Sequence, residues 1–503
     1  MAMEQPELAV ERYLRQLGGG RPDPAIIGFY ASIDGMRGVD PLVADRVVQE
    51  LRDQRSNVKL IASENYSSLT VQQAMGNLLN DKYAEGYAGH RFYAGCDNVD
   101  AIEAHGAEVA EKLFGAEHAY LQPHSGADAN LVAFLAVLAT RVENDLVERL
   151  GAKNVSALSD EQFAQLRAEL HDQRLLGMDY YSGGHLTHGY RFNISARLFD
   201  ARSYTVDRAT GLLDLDALRA QVQEVRPLIL LAGYSAYPRK IDFARMREIA
   251  DEVGATFMVD MAHFAGLVAG KVFTGNYDPV PHAHIVTSTT HKTLRGPRGG
   301  IVLAQAAYAD AVDKGCPAIL GGPLPHVIAS KVIALQEAAQ PGFREYAARI
   351  VENAQTLAEA LQKQGMTVAT GGTDNHMVLA DVTASFGLTG RQAESTLRAV
   401  GLTLNRNALP FDVNGPWYTS GLRLGTPAIT TLGMGAAEIE EIAEVITDVL
   451  RATTPVVTNG TPSKAKSATV PQAEAEARSR IAALCQKFPV YPELDLSILD
   501  PTV

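Results

Sequence analysis

The sequence predicts an α/β protein with a largely parallel sheet and a second, smaller αβ unit behind it. Strand-like and helical segments alternate between about residues 100 and 340, the pattern of crossover units. Short apolar runs such as Leu228–Ala232 and Thr256–Val259 end abruptly in small or polar residues, as buried parallel strands do. Past Pro341 a long helical stretch leads into a fresh αβ pattern ending near Arg451, and 503 residues exceed what one small core holds.

Taken in order, residues 1–40 read as an arm, broken at Gly18-Gly19-Gly20 with Pro22 and Pro24 close behind. A helical pattern from about Pro41 to Gln54 completes an N-terminal arm-and-helix unit, 1–57. Val58–Ala62 looks like a short strand and opens a large domain, 58–340. Within that domain Ala127–Leu138 reads as helix. The charged, helix-prone stretch 143–174 reads as a solvated helical insertion. Phe243–Val253 has helical periodicity and stops at Gly254, the expected C-terminal stop. Residues 341–503 form the smaller C-terminal domain. Inside it 452–472, rich in Thr, Pro, Ser, Ala and Lys, reads as a flexible linker before a final helix, 473–487.

Composition excludes several function classes. A formal charge of −13 argues against nucleic acid as a partner, because phosphate contacts need a basic surface. Three cysteines, Cys96, Cys316 and Cys485, make no CxxC pair, which points to a reducing compartment and away from a structural zinc site or any other metal. The acidic N-terminus lacks a long apolar run and no stretch approaches about eighteen apolar residues, so a cytoplasmic protein without a signal peptide or membrane span is expected.

The residues that carry chemistry fall at predicted strand ends, where open α/β sheets bind ligands. Lys292 follows the β-rich run Ile285–Thr290, with His291 before it and Arg295 and Arg298 behind it. An amine held there, desolvated or placed near other cations, suits a Schiff base with an aldehyde cofactor. The competing reading is a solvated lysine at a surface strand end. Ser125-Gly126 precede a predicted helix, so backbone N–H groups and a hydroxyl could meet a phosphate. A plain N-cap serine is the simpler alternative.

Asp260 ends a buried strand and could pair with a protonated pyridine nitrogen, or merely cap the next turn. His263, three residues on, is placed to hold that carboxylate. The turn Gly183–Gly189 carries His185 and His188 without acidic or cysteine neighbours, so a ring stacked on a flat cofactor suits it better than a metal. Arg423 sits in an alternating strand between glycines and apolar residues. Bidentate binding of a substrate carboxylate and a buried ion pair are equally good uses of such an arginine.

Together these runs resemble the serine hydroxymethyltransferase family. The carrying motifs are LIASENYSS (60–68), KYAEGYAGHRFYAGC (82–96), PHSGADAN (123–130), GGHLTHG (183–189), VDMAHFAGLVAG (259–270), TTHKTLRGPRGG (289–300), GGPLPHVIASK (321–331), TDNHMVL (373–379) and SGLRLGTPA (420–428), with a last echo in LCQKFPVYP (484–492). The resemblance implies a pyridoxal-phosphate-dependent transferase of fold type I, with a mostly parallel seven-stranded sheet sandwiched by helices, a smaller C-terminal α/β domain and an N-terminal arm. It implies reversible conversion of L-serine and tetrahydrofolate to glycine and 5,10-methylenetetrahydrofolate, a one-carbon reaction.

By motif, the resemblance makes Lys292 the Schiff-base lysine, Asp260 the pyridine partner and His185 the stacking ring. Ser235 and His263 are implied near the phenolic oxygen of pyridoxal 5'-phosphate, and Ser125 and Gly126 at its phosphate. Tyr83, Gly321 and Gly322 are offered from a neighbouring subunit, which implies a homodimer, or a tetramer, with shared sites. Arg423 with Ser63 would hold the substrate carboxylate, with Arg298 beside them. Glu85 is the implied acid/base near the serine hydroxyl, with Tyr93 nearby and Thr289 and His291 in the same catalytic set. Leu186 and Asn407 match folate-lining positions, and Tyr180 stands where the family has leucine.

The chain departs from the family pattern at Ala127-Asp128, where Ser-Gln is usual, at Phe92 and along Cys316–Leu320. Within the same fold, a folate-independent aldolase of threonine type or an α-methylserine hydroxymethyltransferase are the alternatives. The aldolase would not need Glu85, Asn407 or Leu186. A catalytically silent binding protein would not need Lys292 and Asp260 together.

Overall fold

The computed structural model describes residues 7–458 and 460–499. Its centre is a seven-stranded sheet: β1 (His118–Tyr120), β2 (Arg174–Met178), β3 (Asp200–Tyr204), β4 (Ile229–Gly233), β5 (Thr256–Asp260), β6 (Ile285–Thr289) and β7 (Gly300–Ala304). The order across the sheet is β1-β7-β6-β5-β4-β2-β3. Neighbours from β3 to β6 pair in parallel, and β7 alone runs against both β6 and β1. Strands β4, β5, β6 and β7 are buried along their whole length, which is why β4, β5 and β7 carry consecutive rather than alternating apolar residues. Helices cover both faces, including α1 (Asp97–Phe114), α2 (Gly126–Leu138) and α3 (Pro325–Ala338). They close two apolar cores, one around Phe257, Val259 and Phe264 and one around Phe134, Met258 and Val302.

The long helix α4 (Pro341–Lys363) leads into a four-stranded antiparallel sheet of β8 (Thr367–Val368), β9 (Met377–Asp381), β10 (Asn405–Asn407) and β11 (Gly421–Gly425), ordered β8-β9-β11-β10. Helices α5 (Gly390–Ala399) and α6 (Ala436–Arg451) bury Leu397, Ile439, Ile442 and Ile446 with it in a separate core.

Two expectations are corrected. Residues 1–40 were expected to be an arm; 1–6 lie outside the described residues, but helices Ala9–Gln16 and Pro24–Val39 pack Tyr30 and Ile33 with Leu494 and Ile498 from the far end of the chain. Pro24 does not break this segment: it occupies the first helical turn, with Asp23 accepting from Ala25 and Ile26 N–H. Nor is 452–472 a flexible linker. Strands β12 (Thr453–Thr458) and β13 (Thr461–Thr469) pair as a hairpin. Buried Gln392 of α5 donates from its amide to the carbonyls of Ser463 (2.6 Å) and Lys466 (2.9 Å). The 143–174 segment is helical at Asn144–Arg149 and Asp160–His171.

Candidate active site

The carboxyl ends of β1, β2, β4, β5 and β6 open into one cavity of about 720 Å³. Its far wall comes from the small domain: Asn405 to Ala408 on and after β10, Pro416, Thr419 and Arg423 of β11. Each strand end delivers one element. Ser125, Gly126 and Ala127 follow β1 by way of Leu121–His124, Gly184–Leu186 follow β2, Tyr234–Ala236 follow β4, Asp260, Ala262 and His263 end β5, and Thr289, His291 and Lys292 end β6. Ser63, Arg298, Asn407 and Tyr180 also line it.

Lys292 is 9% exposed. Burial pushes its ammonium down to about 8; Asp260 opposes that shift, while Arg423 and Arg298 add to it. Of the cations expected around this amine, Arg298 contributes, but Arg295 does not, because its guanidinium lies 5.2 Å over the Tyr346 ring. His291 is itself pushed to about 3 by burial and by Arg298, so it is neutral. The lysine loop is pinned from behind, where Asn65 donates to the Lys292 carbonyl at 3.0 Å.

Asp260 Oδ2 accepts from Asn130 Nδ2 (2.9 Å) and from His188 Nε2 (3.2 Å), and Oδ1 accepts from Ala262 N–H. Burial alone would raise this carboxyl, yet the hydrogen bonds from His188 and Asn130, with the His185 ring close by, hold it well below the usual range. His263 does not hold Asp260, contrary to expectation. Its Nδ1 lies 3.2 Å from His376 Nε2, the rings stacked 5.4 Å apart. His185 reaches the cavity with its Nδ1 2.7 Å from Thr187 Oγ1, and burial pushes it to about 4. Asn130 and His376 were missed, and His188, noted beside His185, was not matched to Asp260. Asn130 lies one turn after Gly126 on α2, a spacing that could have pointed to it.

At the N-terminus of α2, Ser125 Oγ accepts from Asp128 N–H (3.2 Å) and donates to the Asp128 carboxylate (2.9 Å). A Cβ on Gly126 would lie 2.7 Å from Thr289 Cγ2, so this approach admits only glycine. Opposite, Arg423 donates to the Ser235 carbonyl at 2.6 Å and to Asn405 Oδ1 at 3.1 Å. Burial pushes it down to about 10. Among the described residues no carboxylate pairs with it, so the buried-ion-pair reading of this arginine fails.

Five expected residues do not line this cavity: Tyr83, Glu85, Tyr93, Gly321 and Gly322. They gather elsewhere on the surface. Tyr83 and Tyr93 meet edge to face at 4.9 Å, both about half exposed, and the Tyr83 ring rests on Gly322. Glu85 lies close enough that its charge raises the Tyr83 phenol.

The family model of serine hydroxymethyltransferase matches residues 36–147 and 152–446. The gap at 148–151 falls inside the segment that reads as an insertion, and the hairpin β12–β13 lies beyond the match. The chain is 57% identical to the serine hydroxymethyltransferase of Treponema pallidum over 97% of its own length and 85% of the relative's. It is 57% identical to that of Salinispora tropica over 93% of the chain and 98% of the relative. Identity to the enzyme of Mycolicibacterium smegmatis is 56%, over 95% and 97%.

Proposed function

The chain belongs to the serine hydroxymethyltransferase family, and from that premise we propose that its large cavity binds pyridoxal 5'-phosphate and works on L-serine, glycine and tetrahydrofolate. The observation that carries this is the convergence on one cavity of a buried lysine, a buried carboxylate and an arginine that no described carboxylate pairs with. The donor set fits the cofactor. Lys292 is an amine of lowered basicity for its aldehyde, and Asp260 an ionised carboxylate for its ring nitrogen. The α2 N-terminus with Ser125 and Gly126 suits its phosphate. When bound, pyridoxal phosphate supplies the electron sink for bond cleavage at the substrate's Cα.

The chain's own residues do the rest. His185, kept neutral, offers a flat face, and Ser235 and His263 stand near it on the cavity wall. Arg423, with Ser63 and Arg298 on the same wall, binds the substrate carboxylate through guanidinium hydrogens that no described carboxylate occupies. Thr289 and His291 frame Lys292. Tyr180, Leu186 and Asn407 lie toward the mouth and receive the folate; Tyr180 and Leu186 are 40% and 37% exposed.

The surface cluster of Glu85, Tyr83, Tyr93, Gly321 and Gly322 serves the cavity of a second copy. That makes the enzyme a homodimer, or a tetramer built from such dimers, with Glu85 moving the proton of the serine hydroxyl across the interface. A cytoplasmic setting agrees with three free, buried cysteines. No described helix is long and apolar enough to cross a membrane.

The test combines purified protein with pyridoxal phosphate, then glycine and tetrahydrofolate, and records the visible spectrum. A long-wavelength band that needs both additions is expected. Glycine binding indifferent to folate would overturn the transferase reading in favour of the aldolase. Lys292→Gln is expected to lose the borohydride-fixed label, and a label retained at another lysine would overturn the assignment.

A further inference from the structure

Lys331 takes no part in the site described above, yet it is one of the most buried cations in the molecule. It sits in α3 at 2% exposure. Its ammonium has three N–H donors, and all three are used on backbone carbonyls: Leu121 at 2.6 Å, Pro123 at 2.9 Å and Gly300 at 2.9 Å. No carboxylate forms an ion pair with it among the described residues. Burial pushes it down to about 7, with Glu103 and Asp128 the charges that favour its protonated form. An oxygen cage of this kind, at these distances, is what a bare monovalent cation takes from backbone carbonyls.

The three carbonyls belong to the two loops that build the cofactor site. Leu121 and Pro123 lie on the segment that runs into Ser125 and Gly126. Gly300 closes the loop that carries Lys292: Thr290 N–H donates to the Gly299 carbonyl and Gly300 N–H to the Pro123 carbonyl. The fit leaves no slack. A Cβ on Gly299 would lie 2.4 Å from Lys331 Cε, and one on Gly300 would lie 2.3 Å from the Ser125 carbonyl oxygen.

We propose that Lys331 is a tethered monovalent cation, a positioning residue whose ammonium fixes the phosphate-side loop and the Lys292 loop relative to each other. Its site is then a cation site, and a small free cation can stand in for the side chain. The role rests on the reading of the cavity as a pyridoxal-phosphate site, but the cation chemistry does not.

The full-length Lys331→Ala protein, which leaves room for an ion, and Lys331→Met, which fills that room without charge, test this. Each is compared with the parent in ammonium, potassium or tetramethylammonium chloride at equal ionic strength. Two quantities are read: the melting temperature without cofactor, and the affinity for pyridoxal phosphate from the absorbance of the lysine-bound form. In tetramethylammonium the alanine variant is expected to bind the cofactor at least about tenfold more weakly than the parent, because three buried carbonyls each lose a donor. Ammonium or potassium is expected to restore both affinity and melting temperature to the alanine variant, but not to the methionine variant.

Cofactor affinity unchanged in tetramethylammonium overturns the proposal. So does equal rescue by tetramethylammonium, rescue of the methionine variant, or an alanine variant that fails to fold even in ammonium. If the parent takes up no cofactor on Lys292, the reading of the cavity fails instead. Ion-selective melting of the alanine variant still decides the cation site.

Discussion

His188 Nε2 donates to Asp260 Oδ2 at 3.2 Å, at the base of the cavity, and the backbone fixes which ring nitrogen carries the proton. His188 Nδ1 accepts the His185 N–H at 3.3 Å, which leaves Nε2 as the donor. The carboxylate therefore faces three fixed donors, His188 and Asn130 on Oδ2 and the Ala262 N–H on Oδ1, and stays ionised in spite of its burial.

His188→Leu removes one of those donors and lets the Asp260 carboxyl rise toward its ordinary range. Pyridoxal-phosphate affinity is expected to fall by about tenfold or more, the usual cost of losing a partner of a buried charge. His376→Leu, which touches His263 and not Asp260, is expected to weaken affinity less. Titration of both variants with the cofactor checks the order, and equal losses would refute it.

Lys292 must be neutral to attack an aldehyde, and its ammonium is lowered from 10.5 to about 8. The rate of cofactor capture by cofactor-free protein is therefore expected to rise through pH 8 and level off above it. Arg298→Ala removes one of the cations that lower this group, so the midpoint is expected to move up. Between about 8 and 10.5 the folded form holds fewer protons on Lys292 than the unfolded form, so this group's contribution improves as pH rises through that window. Stopped-flow capture rates against pH measure the midpoint, and a flat profile would exclude a lysine lowered by burial.

Arg423 is part-buried and, among the described residues, has no anionic partner, an arrangement that costs stability until a carboxylate arrives. Arg423→Met is expected to raise KM for serine by about 30- to 150-fold, the loss of a charge-assisted bidentate contact worth about 2–3 kcal/mol. Its melting temperature without ligand is expected to hold or rise. A loss of melting temperature as large as the loss of binding would make Arg423 a structural residue.

The convergence of Lys292, Asp260, Ser125 and Arg423 on one cavity was within reach of the sequence because each follows a local rule: a strand end, a helix start, or an arginine in an apolar alternation. Their supports were not. His263 was matched to Asp260 by proximity along the chain, but the turn after β5 uses Asp260 Oδ1 on Ala262 N–H and sends the His263 ring toward His376. His188 reaches Asp260 from another strand end. The hairpin β12–β13 was unreadable for a similar reason. Its composition is that of a linker, and what orders it is a buried glutamine in α5 that captures its carbonyls.

Glu85 lies outside the cavity that holds Lys292, and this separation can be tested directly. In a two-fold dimer each cavity would draw Lys292 from one protomer and Glu85 from the other. Glu85→Gln and Lys292→Gln homodimers are each expected to be inactive. Unfolding and refolding an equal mixture yields heterodimers in which one cavity carries both substitutions and the other carries neither. Random pairing then restores about a quarter of the parent's sites, with an unaltered KM in those sites. Recovery to that level, read as activity and as glycine- and folate-dependent absorbance, requires the two residues to meet across the interface. A mixture no more active than its parents would mean that Glu85 serves the cavity of its own chain, or none.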